Sequence, residues 1–389
     1  MDFSKDLSIE QAHRFVEFRA EQSTYDSVNG GVAEVNIDVP LASGEYMDME
    51  DARLIFDLEL TTSGSTPIYD YSASGWMQNV SVRSHNQTEI GNQTINYNRW
   101  VKTQKQLKNS TDGKKSFEDV LEGATNADLA GVLELERAHK LITNVFTYNG
   151  YYPVWAHKGF QLRIDLSAST KMGALCTQYK VKNLRLECRL VKLKPEVHNA
   201  VLQQLESPEG IVFDFESVEG SSKTLETSTN VVYQFGRVAN RLKRVEVVES
   251  IGVNDNDCVL NNISSYRYRL GSNFSTATAI DVSATKAARH TLHYLRAQKI
   301  NPDEMQLYGN ADATDGYNGI VGTGNKFVMA NQFDQSKLEE VISSADSKGM
   351  DLELHLTRSS TGTAGTVFLF KVEDRRLQIL PGSMVQQLS

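Results

Sequence analysis

Scarcity narrows this chain before any motif does. Its 389 residues include only three cysteines, Cys176, Cys188 and Cys258, too few and too scattered for a disulfide framework or a structural zinc site. Their plain reading is reduced, buried thiols in a protein matured inside a cell. Apolar runs last only a few residues, against the roughly 18–20 that a membrane-crossing helix needs. Met1-Asp2-Phe3-Ser4-Lys5-Asp6 lacks the basic-then-apolar order of a secretion signal, so secretion is not expected. The Asn-x-Ser/Thr sequons starting at Asn79, Asn86, Asn92, Asn109, Asn262 and Asn273 are accordingly read as products of Asn- and Thr-rich loops rather than glycan sites. Basic charge is also short. Forty Lys and Arg stand against 49 Asp and Glu, a net charge of −9, which is the wrong sign for a nonspecific grip on nucleic acid.

Reactive constellations are equally scarce. Of eight histidines only His290 and His293 lie close together; on a helix they share a face, but Arg296 and Lys299 follow where a metal site wants a carboxylate. They read as ordinary surface or interface histidines. Gly319–Lys326 is glycine-rich, yet its spacing does not fit a phosphate loop, and Phe327 stands where a Ser or Thr would hold magnesium. Asp255-Asn256-Asp257 and Asp312–Gly316 are rich in oxygen but lack the bidentate glutamate of an EF-hand; weak calcium binding at a subunit interface is the rival to a plain loop. No G-x-S-x-G nucleophile elbow occurs. Arg237, Arg241, Lys243 and Arg244 form the densest basic cluster. Salt bridges to an acidic neighbour are the structural expectation for it, and genome contact the alternative. No catalytic, cofactor-binding or metal-ligating residue is assigned, and an enzyme is not expected.

What is present is alternation. With 40% hydrophobic and 23% charged residues the composition is that of a folded chain, and the length suggests two domains. Ser8-Ile9-Glu10-Gln11 resembles a capping box, and Ile9, Ala12, Val16 and Ala20 follow helical spacing, which predicts an N-terminal helix. After Asn29-Gly30-Gly31 the period changes to two: Val35/Ile37/Val39, Leu54/Phe56/Leu58/Leu60 and Val80/Val82 mark strands. Ile95–Leu107 reads as a helix, Val132–Lys140 as a second, short one, and Tyr151–Ala156, Phe160–Leu166 and Tyr179–Leu193 as strands. Pro195–Glu206 reads as a helix with proline in its first turn, followed by the turn Ser207-Pro208-Glu209-Gly210. Strands resume at Ile211–Val218, Val231–Phe235, Leu242–Val248 and Tyr266–Leu270. Ala284–Lys299 is helical, and Lys326–Met329, Met350–Leu356, Thr366–Val372 and Arg376–Leu380 are further strands.

The halves repeat one another. Gly159-Phe160-Gln161-Leu162-Arg163-Ile164-Asp165-Leu166 leads into a Ser/Thr-rich exit, and Gly349-Met350-Asp351-Leu352-Glu353-Leu354-His355-Leu356 matches it in register. Upstream, each half has an Arg-bearing strand (Val80–Ser84; Tyr266–Leu270), then a polar turn and a helix. Two matched blocks in the same order indicate a duplicated antiparallel β-domain. The predicted layout is all-β with short helices: an N-terminal helical arm (1–28), a first eight-stranded jelly roll (29–194), a helical linker (195–208) and a second jelly roll (209–389).

This arrangement resembles the double jelly-roll major capsid proteins of icosahedral DNA viruses and tailless phages. Three segments carry the likeness: Tyr179–Leu205, Gly210–Phe215 and Arg241–Gly271. The resemblance implies a virion protein that forms homotrimers, whose paired barrels make pseudo-hexameric capsomers of an icosahedral shell. It also implies penton and minor capsid partners, with Asn109–Ile142 and Gly309–Asn325 as tower or inter-subunit loops. Contact with an internal membrane through the N-terminal helix is a further expectation; sequence-specific nucleic-acid binding is not. The rival is a two-domain glycan-binding or phage fibre protein. It would show an exposed aromatic platform, with Tyr151, Tyr152 and Trp155 as candidates, although their strand-like context places them in a core.

Overall fold

The computed structural model describes residues 10–27, 34–62, 73–105, 133–172, 176–251, 259–282, 288–297, 327–333 and 347–388. The chain divides into two compact units. Met1–Asn98, Phe117–Val218 and Arg375–Ser389 form the first; Arg99–Ser116 and Glu219–Asp374 form the second.

The first unit opens with β1 (Glu10–Arg19), β2 (Thr24–Asp26), β3 (Glu34–Val39), β4 (Glu45–Thr62), β5 (Met77–Ser84) and β6 (Thr94–Ile95). Helix α1 (Tyr97–Lys105) follows, its residues from Arg99 onward belonging to the second unit. Then come β7 (Leu133–His139), β8 (Tyr151–Tyr152), β9 (Phe160–Leu166), β10 (Cys176–Leu193) and helix α2 (Pro195–Glu206). One sheet runs β1-β10-β4-β7, with β2 also on β10 and β8 on β4; the other runs β3-β9-β5-β6.

Strands β11 (Ile211–Thr224), β12 (Asn230–Arg237), β13 (Arg241–Ile251), β14 (Ile263–Leu270), β15 (Asn273–Phe274) and β16 (Ile280–Asp281) lead into helix α3 (Ala288–Ala297). After it come β17 (Met329–Gln332), β18 (Asp351–Arg358), β19 (Gly365–Leu380) and β20 (Met384–Leu388). The sheets are β11-β19-β13-β17, with β20 on β19, and β12-β18-β14-β15, with β16 on β14.

Strand for strand, the two orders coincide. β1, β10, β4 and β7 correspond to β11, β19, β13 and β17; β3, β9, β5 and β6 correspond to β12, β18, β14 and β15. The chain is a double jelly roll. Each sequence repeat falls on equivalent elements: Gly159–Leu166 and Gly349–Leu356 on β9 and β18, the Arg-bearing strands on β5 and β14, and the helices on α1 and α3.

Alternation sets the register. A one-residue slip would turn every apolar side chain of a strand to the wrong face. In the first unit Ile164 pairs with Val35 and Val80, and Leu162 with Ile37 and Val82. In the second, Leu356 pairs with Val231 and Tyr266, and Leu354 with Tyr233 and Tyr268. All twelve side chains are buried. Each row of three buries apolar surface at about 25 cal/mol per Å², while polar neighbours such as Asp38 and Gln234 face solvent.

Three expectations are corrected. Residues 10–19 are not helical: they form β1, paired with β10 from Arg19↔Arg185 to Glu10↔Leu193. Val16 and Phe18 suit a half-buried strand as well as a helix face, and the long β10 offers a row of backbone partners that decides between them. Val132–Lys140, expected as a helix, contains β7, which pairs with β4 from Leu54↔His139 to Leu60↔Leu133. Tyr151–Ala156 is a strand only at Tyr151–Tyr152; Pro153 lacks an N–H to extend the ladder, and Val154–His157 forms a 3₁₀ turn. Strand β20 was not foreseen at all. The expected helix Pro195–Glu206 is present with those bounds.

The repeated glycine has a backbone role. Both Gly159 (φ +98°) and Gly349 (φ +77°) lie in the left-handed region, just before β9 and β18. A β-carbon at Gly159 would also stand 2.7 Å from the Val39 carbonyl, whereas Gly349 has open space around it. We expect Gly159→Ala to destabilise by about 1–3 kcal/mol and Gly349→Ala by about 1 kcal/mol. Urea-unfolding midpoints of the two variants give the ranking; equal costs would contradict it.

Candidate functional site

The fold gathers several polar side chains in its interior, the most deeply buried of them an acid and a base. Glu249 on β13 and Arg358 at the end of β18 are both fully buried and joined at 2.5 Å. Arg358 also donates from Nε to the Asn261 carbonyl (3.1 Å) and from Nη1 to the Ser228 carbonyl (3.0 Å). Asn261 donates to the other Glu249 oxygen at 2.9 Å and accepts from the Thr363 N–H at 2.8 Å. Burial pushes the Glu249 carboxyl above its ordinary range, and the adjacent guanidinium opposes that shift. The donors and acceptors are matched within the chain, so the cluster braces strands and loops rather than presenting a reactive group. Sequence reading missed it because the two charges lie 109 positions apart.

The histidines follow the same pattern. His290 on α3 is not a surface residue: it is buried, hydrogen-bonded through Nδ1 to the Tyr266 hydroxyl at 2.9 Å, and stacked on Phe327 with centroids 5.0 Å apart. Burial lowers its pKa to about 3, and that of its half-buried neighbour His293 to about 4. His157 donates from Nδ1 to the Gly159 carbonyl at 2.8 Å and is lowered to about 4 by burial. His198 on α2 meets the Tyr46 hydroxyl at 3.0 Å and the edge of Trp155, which docks the helix on the first sandwich. Each ring is used as a packed, neutral side chain.

The basic cluster finds its acids within the chain. Lys243 reaches Asp374 at 2.7 Å and Arg241 reaches it at 3.8 Å; Arg237 lies 3.7 Å from Asp351 and Arg244 3.3 Å from Glu246. Arg244 also stacks over Trp100, whose ring meets Phe370. Across β1, β10, β4 and β7 runs a second ladder of charge. Arg189 binds Glu10 at 2.6 Å and Asp48 at 3.4 Å, Arg185 binds Glu136 and Glu17, and Lys180 and Lys182 share Glu59. The two lysines, Lys182 foremost, hold the Glu59 carboxyl below its usual range. Tyr151 and Tyr152 are fully buried and Trp155 is half-buried, so these aromatics do not make an exposed platform.

Cys176 and Cys188 are buried and unpaired. Cys258, the glycine-rich segment 319–326, Asp255–Asp257, Asp312–Gly316 and most of the two predicted tower loops lie outside the described residues. Among the described residues no three His, Cys, Asp or Glu side chains gather as metal donors, and no helix is long and apolar enough to cross a membrane.

With the repeated strand order in view, comparison with solved structures becomes informative. VP54 of PBCV-1, fitted into a reconstruction of the virophage Sputnik, superposes with a TM-score of 0.61 at 10% identity, over 100% of this chain and 99% of that one. The Sputnik virophage structure gives 0.58 at 10% identity, over 100% and 90%. The Faustovirus major capsid protein gives 0.53 at 8% identity, over 97% and 92%. The chain shares their fold. At such identities the likeness extends to the architecture, and no family model or curated protein sequence matches the chain.

Two outcomes test the buried clusters. Arg358→Met leaves Glu249 buried without its cation and should destabilise by about 3–5 kcal/mol; adding Glu249→Leu should recover most of that loss. Denaturant unfolding of the single and double variants measures both. The histidines set a pH dependence. In the unfolded chain they take up protons below about pH 6.5, while His157 and His290 stay neutral in the fold down to about 4 and about 3. Stability is therefore fully present above pH 6.5 and falls as pH drops toward 4, with up to about 1.4 kcal/mol per pH unit from each ring. His290→Gln should flatten that slope in urea titrations between pH 7 and 4, and an unchanged slope would contradict the assignment.

Proposed function

We propose that this protein is the major capsid subunit of an icosahedral virus, and that it assembles as a homotrimer into pseudo-hexameric capsomers. The observation that carries the reading is the repeated strand order: two sandwiches of one topology in one chain. Three such chains around an axis present six similar wedges, so a trimer tiles like a hexamer with fewer association events. The covalent link between sandwiches also removes one loss of translational freedom per pair. The chemistry described above agrees with a mechanical role, because buried charges, hydroxyls and rings are spent on bracing. Trimer interfaces of the obligate kind bury roughly 2,000 Å² or more. Penton and minor capsid proteins are the expected further partners, and the virion the expected location. Membrane contact through an N-terminal helix is not retained, since residues 10–19 are a sheet strand. The glycan-binding alternative loses its platform with the burial of Tyr151 and Tyr152.

Purified full-length protein should sediment as a trimer and form hexagonal-looking particles or shells in negative-stain images. A stable monomer at high concentration under every salt condition would overturn the proposal.

A further inference from the structure

Strand β1 forms one edge of its sheet among the described residues, and it is unusually bare. Phe15 is 66% exposed, His13, Glu17 and Arg19 are exposed, with Glu17 met by Arg185 at 3.4 Å and by Arg19 at 3.5 Å, and Glu10, Val16 and Phe18 are half-buried. The Ala20 N–H donates to the Leu184 carbonyl at 2.9 Å, and the register to β10 is unbroken from Ala12 to Arg19. Antiparallel ladders alternate, so the even-numbered residues bond to β10 and the odd-numbered ones direct their backbone N–H and C=O outward. An edge of this kind is a template for another strand, and proteins that must avoid such pairing blunt it. Here the charges do not blunt it for one partner.

We infer that β1 pairs antiparallel with β1 of a second copy of this chain, centred on Phe15. A two-fold axis normal to the sheet keeps like faces together, so odd residues meet odd residues. With Phe15 opposite Phe15, His13 stands opposite Glu17, twice by symmetry. The imidazole N–H meets a carboxylate, and the two exposed phenylalanine rings cover each other. Centring on Glu17 instead would set two carboxylates face to face, which cross-strand pairing penalises. The choice of register is thus written in the charges of the strand. The inference does not rest on the capsid reading, because strand pairing needs only two copies; within a shell it would supply a two-fold contact.

The test uses the full chain. Phe15→Cys should form an intermolecular disulfide on mild oxidation, because opposed residues of a bonded pair lie about 5.5 Å apart at Cα. Arg19→Cys sits on the same face but roughly 27 Å from its symmetry mate in this register, and should cross-link at least tenfold more slowly. The parent chain, oxidised alongside, gives the background from its own cysteines. Glu17→Lys should weaken self-association in sedimentation runs at least tenfold, and His13→Glu added to it should restore association. Equal cross-linking at positions 15 and 19, or a double variant as weak as the single, would overturn the pairing. Trimers or shells without position-15 cross-linking would sink this inference and leave the capsid proposal standing; cross-linked pairs without trimers would do the reverse.

Discussion

Backbone hydrogen bonding through two late strands is the constraint on which the rest of the structure depends. β10 bonds to β1 and β2 on one side and to β4 on the other. β19 lies between β11 and β13 and also carries β20. Each is the strand that fills the gap between the first and middle strands of its sheet. Without it, a row of polar N–H and C=O groups would be left without partners in the sheet interior. A sheet completed by its last strand cannot be assembled from local contacts, so the topology carries high contact order and the slow folding that goes with it. The long alternating stretches in β10 and β19 are the sequence counterpart of that demand.

The polar interior follows from the same geometry. Strands that cross a whole sandwich bring charged residues into places water does not reach, and each must then be matched. Glu249 is matched by Arg358 and Asn261, and His290 by Tyr266. These groups resemble active-site furniture in their burial and shifted titration, but Glu249 and Arg358 direct their hydrogen bonds at one another, at Asn261 and at loop carbonyls. A side chain that braces a loop cannot also release a proton to a substrate without loosening that loop. This is why perturbed titration alone does not point to catalysis here.

The outer charge ladder of the first unit serves a different end. Partly exposed pairs such as Lys180–Glu59 and Arg185–Glu136 contribute little stability each. What they do is tie β10 to β4 and β7 across the outer face of the sheet. A net charge of −9 opposes indiscriminate contact between copies of the chain.

The strands from β3 to β5, β9 to β11 and β18 to β19 were readable because each buries one face, and one-sided burial imprints a period of two on the residues themselves. The linker helix was readable from proline at its start and apolar spacing, and the duplication from Gly159 and Gly349 at matching turns. Tertiary structure decided the rest. Residues 10–19 carry a pattern compatible with a helix or a strand, and only the free flank of β10 settles it. β7 became a strand for the same reason, since β4 offered partners that a short isolated helix could not match. The partnership of Glu249 with Arg358, and the burial of His290, belong to no local pattern at all. Sequence reports what each segment can bury, whereas contacts between distant segments report what it does bury, because they exist only once the chain has closed its sheets.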